Sequence, residues 1–203
     1  MWRKFLLIAV LGVALPTSLA GRGNAQSLQV GDYLPEFEVL DDQGKTWKSR
    51  DYIGKRVLIV FFYPSDFSFC CTRQVERYRD SHPDLAKLDA EVVGISCDSV
   101  ESHEMFKTAH ALNYPLLADQ NGAVARQFGV PLRVGGKAMV HDTSGKSVLN
   151  SVGDPLHFSR DWTAARWTFV VGKDGRVLHR DTRVSPVSDS KTIAEFICKL
   201  TAN

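Results

Sequence analysis

Residues 57–74 read V-L-I-V-F-F-Y-P-S-D-F-S-F-C-C-T-R-Q, and the rest of the chain is organised around them. Val57 to Phe62 is apolar at every position, the pattern of a central strand covered on both faces. Pro64 turns the chain, and a helical pattern starts at Cys71, with Val75 and Tyr78 on one face. A cysteine in the first turn of a helix lies at the positive end of the helix dipole, among N–H groups with no intrahelical acceptor. That setting favours the thiolate, which is the nucleophilic form. A free cysteine is more often a small buried apolar residue, and Cys70 is read that way, packed under the loop. The surrounding pattern singles out Cys71.

The chain has 203 residues and a formal net charge of +2. Its Lys and Arg residues are scattered, so no nucleic-acid partner is expected. Residues 1–25 read as a secretory signal peptide: Arg3 and Lys4, the apolar run Phe5 to Leu15, then small residues with cleavage points after Ala20 or Ala25. The apolar run is about half the ~20 residues a membrane span needs. The expectation is therefore an exported protein, periplasmic or secreted, with no membrane association after cleavage. Residues 26–203 fit one domain.

Along that domain, Phe37 to Leu40 and Thr46 to Lys48 form a hairpin around Asp41-Asp42-Gln43-Gly44. Pro83 marks a kink or a restart of the first helix. Glu91 to Ser96 and Leu116 to Ala118 read as strands. A helix starts at Asp98, with Glu101 three residues on, and Ala123 to Phe128 is a helix stopped by Gly129. The pattern weakens over 131–165, read as an insertion carrying a hairpin with arms Lys137 to Val140 and Ser147 to Asn150. Trp167 to Val171 and Arg176 to His179 are joined by K-D-G. A last helix runs from Asp189 to Leu200 with Ile193, Phe196 and Ile197 inward. This alternation predicts an α/β protein, a three-layer α/β/α sandwich with a central mixed sheet.

Pro64, Ser68 and Cys71 stand at P-x-x-x-[TS]-x-x-C between a hydrophobic strand and a helix. The stretch resembles the peroxidatic-cysteine motif of the peroxiredoxins, the alkyl hydroperoxide reductase and thiol-specific antioxidant family. V-V-G-I-S-C-D-S-V-E-S-H, Y-P-L-L-A-D-Q-N-G-A-V-A-R-Q-F-G-V and R-W-T-F-V-V-G-K-D-G-R-V resemble successive blocks of its Q-type, bacterioferritin-comigratory-protein branch. The resemblance implies a thioredoxin-like fold and reduction of hydrogen peroxide or organic hydroperoxides, with no cofactor. It implies Cys71 as nucleophile and Ser68 as hydrogen-bonding partner of the peroxide. Pro64 would shield the site, Arg166 favour the thiolate and bind peroxide oxygen, and Gln74 orient the arginine. Such chemistry needs a thiolate attacking one oxygen while donors stabilise charge on the other.

The sulfenic acid formed at Cys71 must be reduced by a thiol. The resemblance places a resolving cysteine five residues after the nucleophile, where this chain has Glu76, or in the following helix near Lys107, where it has none. Adjacent Cys70 and Cys71 are too close to pair. Cys97 is the remaining internal candidate, and Cys198 reads as a core residue. The favoured reading is a one-cysteine cycle with an external thiol or thioredoxin-like reductant, in a monomer or weak dimer. His103, His110 and His141 read as surface residues with no metal spacing. Trp162 and Trp167 either wall the site or pack a face. The competing functions are an exported thiol-disulfide oxidoreductase, which calls for a C-x-x-C that is missing, and a non-catalytic redox sensor.

Overall fold

The computed structural model describes residues 27–142 and 144–201; the signal-peptide reading of residues 1–25 lies outside them. Strands β1 (Glu38–Leu40) and β2 (Thr46–Lys48) pair as the expected antiparallel hairpin. The central sheet has five strands: β3 (Val57–Phe62), β4 (Ala90–Ser96), β5 (Leu116–Ala118), β8 (Trp167–Val171) and β9 (Val177–Asp181). Their order is β5-β4-β3-β8-β9; β3, β4 and β5 are parallel, and β8 is antiparallel to both β3 and β9. This is the mixed sheet expected from the sequence.

Alternation along β3 divides the core in two, because successive strand residues point to opposite faces. Leu58, Val60 and Phe62 join one apolar cluster with Phe37, Trp47 and Phe128. Ile59 and Phe61 join the other, beneath helix α1 (Phe69–Lys87), helix α2 (Val100–Ala109) and helix α4 (Asp189–Thr201). There the Phe61 and Tyr78 rings stack at 4.5 Å and 9°, worth roughly 0.5–1.5 kcal/mol beyond their buried area. Helix α3 (Ala123–Phe128) covers the first cluster and ends at Gly129 with φ +68°, a left-handed stop that glycine tolerates best.

Helix α1 starts at Phe69, two residues before the expected position, and runs through Pro83 without restarting. Pro83 lacks the N–H that would reach the carbonyl of Arg79. Asn113 Nδ2 donates to that oxygen instead, at 3.3 Å, so the missing bond is replaced from outside the helix. The start of α2 also differs from expectation. Ser99, not Asp98, is its N-cap, accepting from Ser102 N–H at 3.3 Å. The Asp98 side chain is committed elsewhere, as shown below.

The 131–165 region holds a longer hairpin than expected. Strand β6 (Leu132–Met139) pairs with β7 (His157–Ala164), with Leu132 opposite Ala164 and Ala138 opposite Phe158. The arms read from the sequence survive only at the tip, where Val148 N–H donates to Val140 O at 3.0 Å. The longer pairing wins because it buries Ala138, Val140 and Ala164 and sets Phe158 and Trp162 against the two cores. Arg160 interrupts that apolar alternation, which hides β7 in the sequence. At Gly135 a Cβ would lie 2.1 Å from the carbonyl oxygen of Arg160. Gly135→Ala is expected to cost about 1–3 kcal/mol, the range for overpacking; an unchanged urea midpoint would contradict that close approach.

Two cysteines depart from expectation, while Phe196 packs inward against the core as expected. Cys70 is exposed, not packed under the loop, because the first turn of α1 buries only its Cys71 side. Cys198 is exposed as well: Ile197 faces the core, and the next residue lies about 100° around the helix. Phe196 is partly buried, its ring 4.8 Å from that of His179. Among the described residues, no helix is long and apolar enough to cross a membrane.

Candidate active site

Strand β3 delivers the chain to the loop Tyr63–Ser68, and Trp167 of β8 pairs with Phe62, so Arg166 arrives at the same end of the sheet. Phe67 adopts φ +55°, a conformation costing an L-residue roughly 1–2 kcal/mol. Its ring is buried, 4.9 Å from that of Phe106, which holds the turn. The turn sets Ser68 as the N-cap of α1 and Cys71 as its third residue. The Ser68 hydroxyl does not cap the helix; it donates to Ser65 O at a long 3.3 Å.

Cys71 is fully buried. Arg166 donates from Nη2 to its Sγ at 3.2 Å and from Nη1 to Gln74 Oε1. Gln74 Nε2 donates to Asp189 Oδ2 at 2.7 Å, and the same oxygen accepts from Tyr78 Oη and Thr168 Oγ1, each at 2.9 Å. Helix dipole and guanidinium thus converge on one sulfur, the setting that stabilises a thiolate. Pro64 and Ser68 line a cleft of about 510 Å³ whose other wall is β6, including Arg133, Lys137 and Met139. Neither Cys71 nor Arg166 lines that cleft; a sulfur held among such donors can attack an electrophile that reaches it while the donors stabilise the charge that leaves.

A second buried polar cluster holds the loop from behind. Asp66 Oδ2 meets His103 Nδ1 at 2.9 Å and accepts from Ser102 Oγ at 2.7 Å, while Tyr63 Oη donates to Asp66 Oδ1 at 2.8 Å. Asp98 Oδ2 accepts from Asp66 N–H at 2.9 Å and from Ser96 Oγ at 2.7 Å. Arg160 Nη1 lies 3.6 Å from Asp98 Oδ1, inside ion-pair range but beyond a hydrogen bond, and neither atom has a hydrogen-bond partner. His103 is therefore fully buried, not a surface residue. His110 is part-buried, facing Glu76 at 3.1 Å, and His141 is partly exposed on the cleft wall.

Burial, then the neighbouring Asp66 charge, pushes the Asp98 carboxyl up to about 6. The neutral form thus persists to higher pH in the folded state, which binds more protons than the unfolded chain between about pH 4 and 6. Asp98 should make stability fall as pH rises through that window, by roughly 2–3 kcal/mol. Urea unfolding of wild type and Asp98→Asn across the window checks this: the difference between them should follow that slope, and parallel curves would refute it.

Cys97 directly follows β4 and Cys71 stands in the first turn of α1, and they lie on opposite faces of the sheet: Cys97 belongs to the Phe62 cluster and Cys71 to the Phe61 cluster. Burial, with Asp119 and Asp98 nearby, pushes the Cys97 thiol up to about 12. Trp162 and Trp167 pack against the Phe62 cluster, under Arg126 and Arg180 respectively, and not against Cys71. The structure therefore brings together Cys71, Arg166 and Gln74, puts Pro64 and Ser68 on a cleft that none of those three lines, and leaves Cys97 apart. Sequence reasoning missed Asp189, Thr168, Asp66 and His103. Only the long stretch between each of them and its partner in the chain obscured them.

The family model described as AhpC/TSA matches residues 30–180, and the chain belongs to that family. Its relatives include the chloroplastic 2-Cys peroxiredoxin BAS1 of Spinacia oleracea, 32% identical over 173 residues, 80% of this chain and 56% of that protein. Peroxiredoxin Bcp of Bacillus subtilis is 39% identical over 104 residues, 51% of this chain and 66% of that protein. The chain thus spans between about half and two thirds of the length of these curated relatives. Among solved structures, peroxidoxin BcpB from Mycobacterium tuberculosis superposes with a TM-score of 0.68 at 26% identity, covering 85% of this chain and 98% of that one. The fold is the thioredoxin-like sandwich expected from the sequence, and the Q-type resemblance is matched by relatives named Bcp.

Proposed function

We propose that this protein is an exported thiol peroxidase that reduces hydrogen peroxide or organic hydroperoxides. The observation that carries the reading is Arg166 Nη2 at 3.2 Å from a cysteine sulfur in the first turn of a helix, beside Ser68. The Cys71 thiolate attacks one peroxide oxygen, an S–O bond forms and the O–O bond breaks. The leaving oxygen departs as hydroxide or alkoxide, stabilised by Arg166 and Ser68, and takes up a proton to become water or an alcohol. Pro64 keeps bulk water from the sulfur, and Gln74 supports the arginine.

Cys71 is left as a sulfenic acid. An external thiol attacks its sulfur, water leaves, and a second thiol completes the reduction. The position of Cys97 across the sheet and its raised thiol support an external reductant, a small thiol or a thioredoxin-like protein, over an internal disulfide. Export rests on the leader pattern of residues 1–25, and the working form is a monomer or weak dimer.

Treatment with one equivalent of hydrogen peroxide in the presence of dimedone, followed by peptide mapping, tests the reading. The expected adduct is on Cys71. An adduct confined to Cys70 would overturn the assignment of the nucleophile, and a Cys71–Cys97 disulfide would overturn the external-thiol cycle.

A further inference from the structure

The Asp189 carboxylate stands at the first residue of α4 and gathers three donors onto one oxygen: Gln74 Nε2, Tyr78 Oη and Thr168 Oγ1. Gln74 and Tyr78 are four residues apart on one face of α1, the helix that carries Cys71. Thr168 is two residues after Arg166, on the strand that carries the arginine into place. One buried carboxylate therefore ties together the two elements that bear the sulfur and the guanidinium. Burial raises its pKa, and the hydrogen bonds from Gln74, Thr168 and Tyr78 oppose that rise.

The directions of the hydrogen bonds matter more than their number. An ionised carboxylate only accepts and a guanidinium only donates, whereas a glutamine amide has one end of each kind. With its NH₂ given to Asp189, Gln74 must turn its oxygen to Arg166. A flipped amide would set oxygen against carboxylate and NH₂ against guanidinium, two repulsive contacts in a buried site. The chain Asp189, Gln74, Arg166, Cys71 has a single self-consistent polarity.

We propose that Asp189 is a positioning residue: by orienting the Gln74 amide it aims Arg166 at the Cys71 sulfur. The proposal rests on Cys71 being the reactive thiol, but its test needs no peroxide. The readout is the pH profile of Cys71 alkylation by iodoacetamide in protein whose other three cysteines are replaced by serine. Asp189→Ala removes the acceptor and frees the amide to rotate. Its profile should move to higher pH, with alkylation about tenfold slower on the rising limb, the scale of one charge-assisted hydrogen bond. In Gln74→Glu/Asp189→Ala both oxygens of residue 74 accept, no orienting partner is needed, and the profile should return toward wild type.

Tyr78→Phe removes a donor to Asp189 but leaves Gln74 oriented, so it should lower stability without moving the profile. An unmoved profile in Asp189→Ala overturns the proposal. So does a shift that the double variant fails to reverse, or an equal shift in Tyr78→Phe. If Asp189→Ala does not fold, Asp189→Asn decides. That variant keeps the shape, but its amide docks either way round, so the profile should shift in the same direction by less, and no shift overturns the proposal. Failure of peroxide to oxidise Cys71 at all would strike the peroxidase reading, and leave these alkylation results standing.

Discussion

In stopped-flow peroxide consumption, Cys71→Ser is expected to react no faster than buffer, and Arg166→Ala about 10²–10³-fold more slowly than wild type. The first loss is complete because a serine hydroxyl at that position has no comparable nucleophilicity. The second is large because the proposed mechanism uses Arg166 twice. Its guanidinium donates to the sulfur at 3.2 Å in a buried site, and in that mechanism it also stabilises the oxygen that leaves. Arg166→Lys keeps the charge but not the planar fork that reaches Gln74 and Cys71 together, and should recover only part of the rate. Undiminished peroxide consumption by Cys71→Ser would end the peroxidase proposal, and a wild-type rate in Arg166→Ala would remove the arginine from the site. Insulin reduction without peroxide consumption would favour a thiol-disulfide oxidoreductase.

His103→Leu is expected to destabilise the fold by about 3–5 kcal/mol, the cost of removing one partner from a buried ion pair. The imidazole faces two acceptors, Asp66 Oδ2 at 2.9 Å and the carbonyl of Leu117 at 3.2 Å. It can satisfy both only as the doubly protonated ring. Burial alone would lower its pKa, but the Asp66 charge and hydrogen bond, joined by Asp98, outweigh burial and raise it. This contribution is fully present below the unfolded value near 6.5 and is lost as pH rises through the higher folded value. Leucine leaves the Asp66 carboxylate buried with only hydroxyl donors. Urea denaturation below pH 6.5 gives the loss directly; a cost under about 1 kcal/mol would mean that the pair adds little net stability. Because Asp66 lies in the loop between Pro64 and Ser68, the variant should also slow peroxide reduction.

The stretch from Val57 to Gln74 carried most of what could be read without coordinates. A six-residue apolar strand and a helix beginning after a proline turn are local patterns, set by side-chain period and backbone bonding within a few residues. For the same reason β5, α3 and β8 fall where their sequences place them. Reading failed where the deciding partner is distant. The true partner of β6 is β7, some twenty residues along, and the inward Arg160 masks its alternation because its charge is met by Asp98 in the tertiary structure. Cys70 and Cys198 depart from expectation because helical period tells which residues share a face, not which face is covered.

Chain order determined the strand–loop–helix unit that puts Cys71 in a first turn, and family resemblance pointed to Arg166. Only the tertiary structure decided how the two are held. Asp189 comes from the last helix, Gln74 and Tyr78 from the first, and Thr168 from a strand between them in the chain. Asp66 and His103 meet across 37 residues. These contacts exist because burial forces each polar group to find a partner wherever the fold supplies one, and no local pattern records that choice.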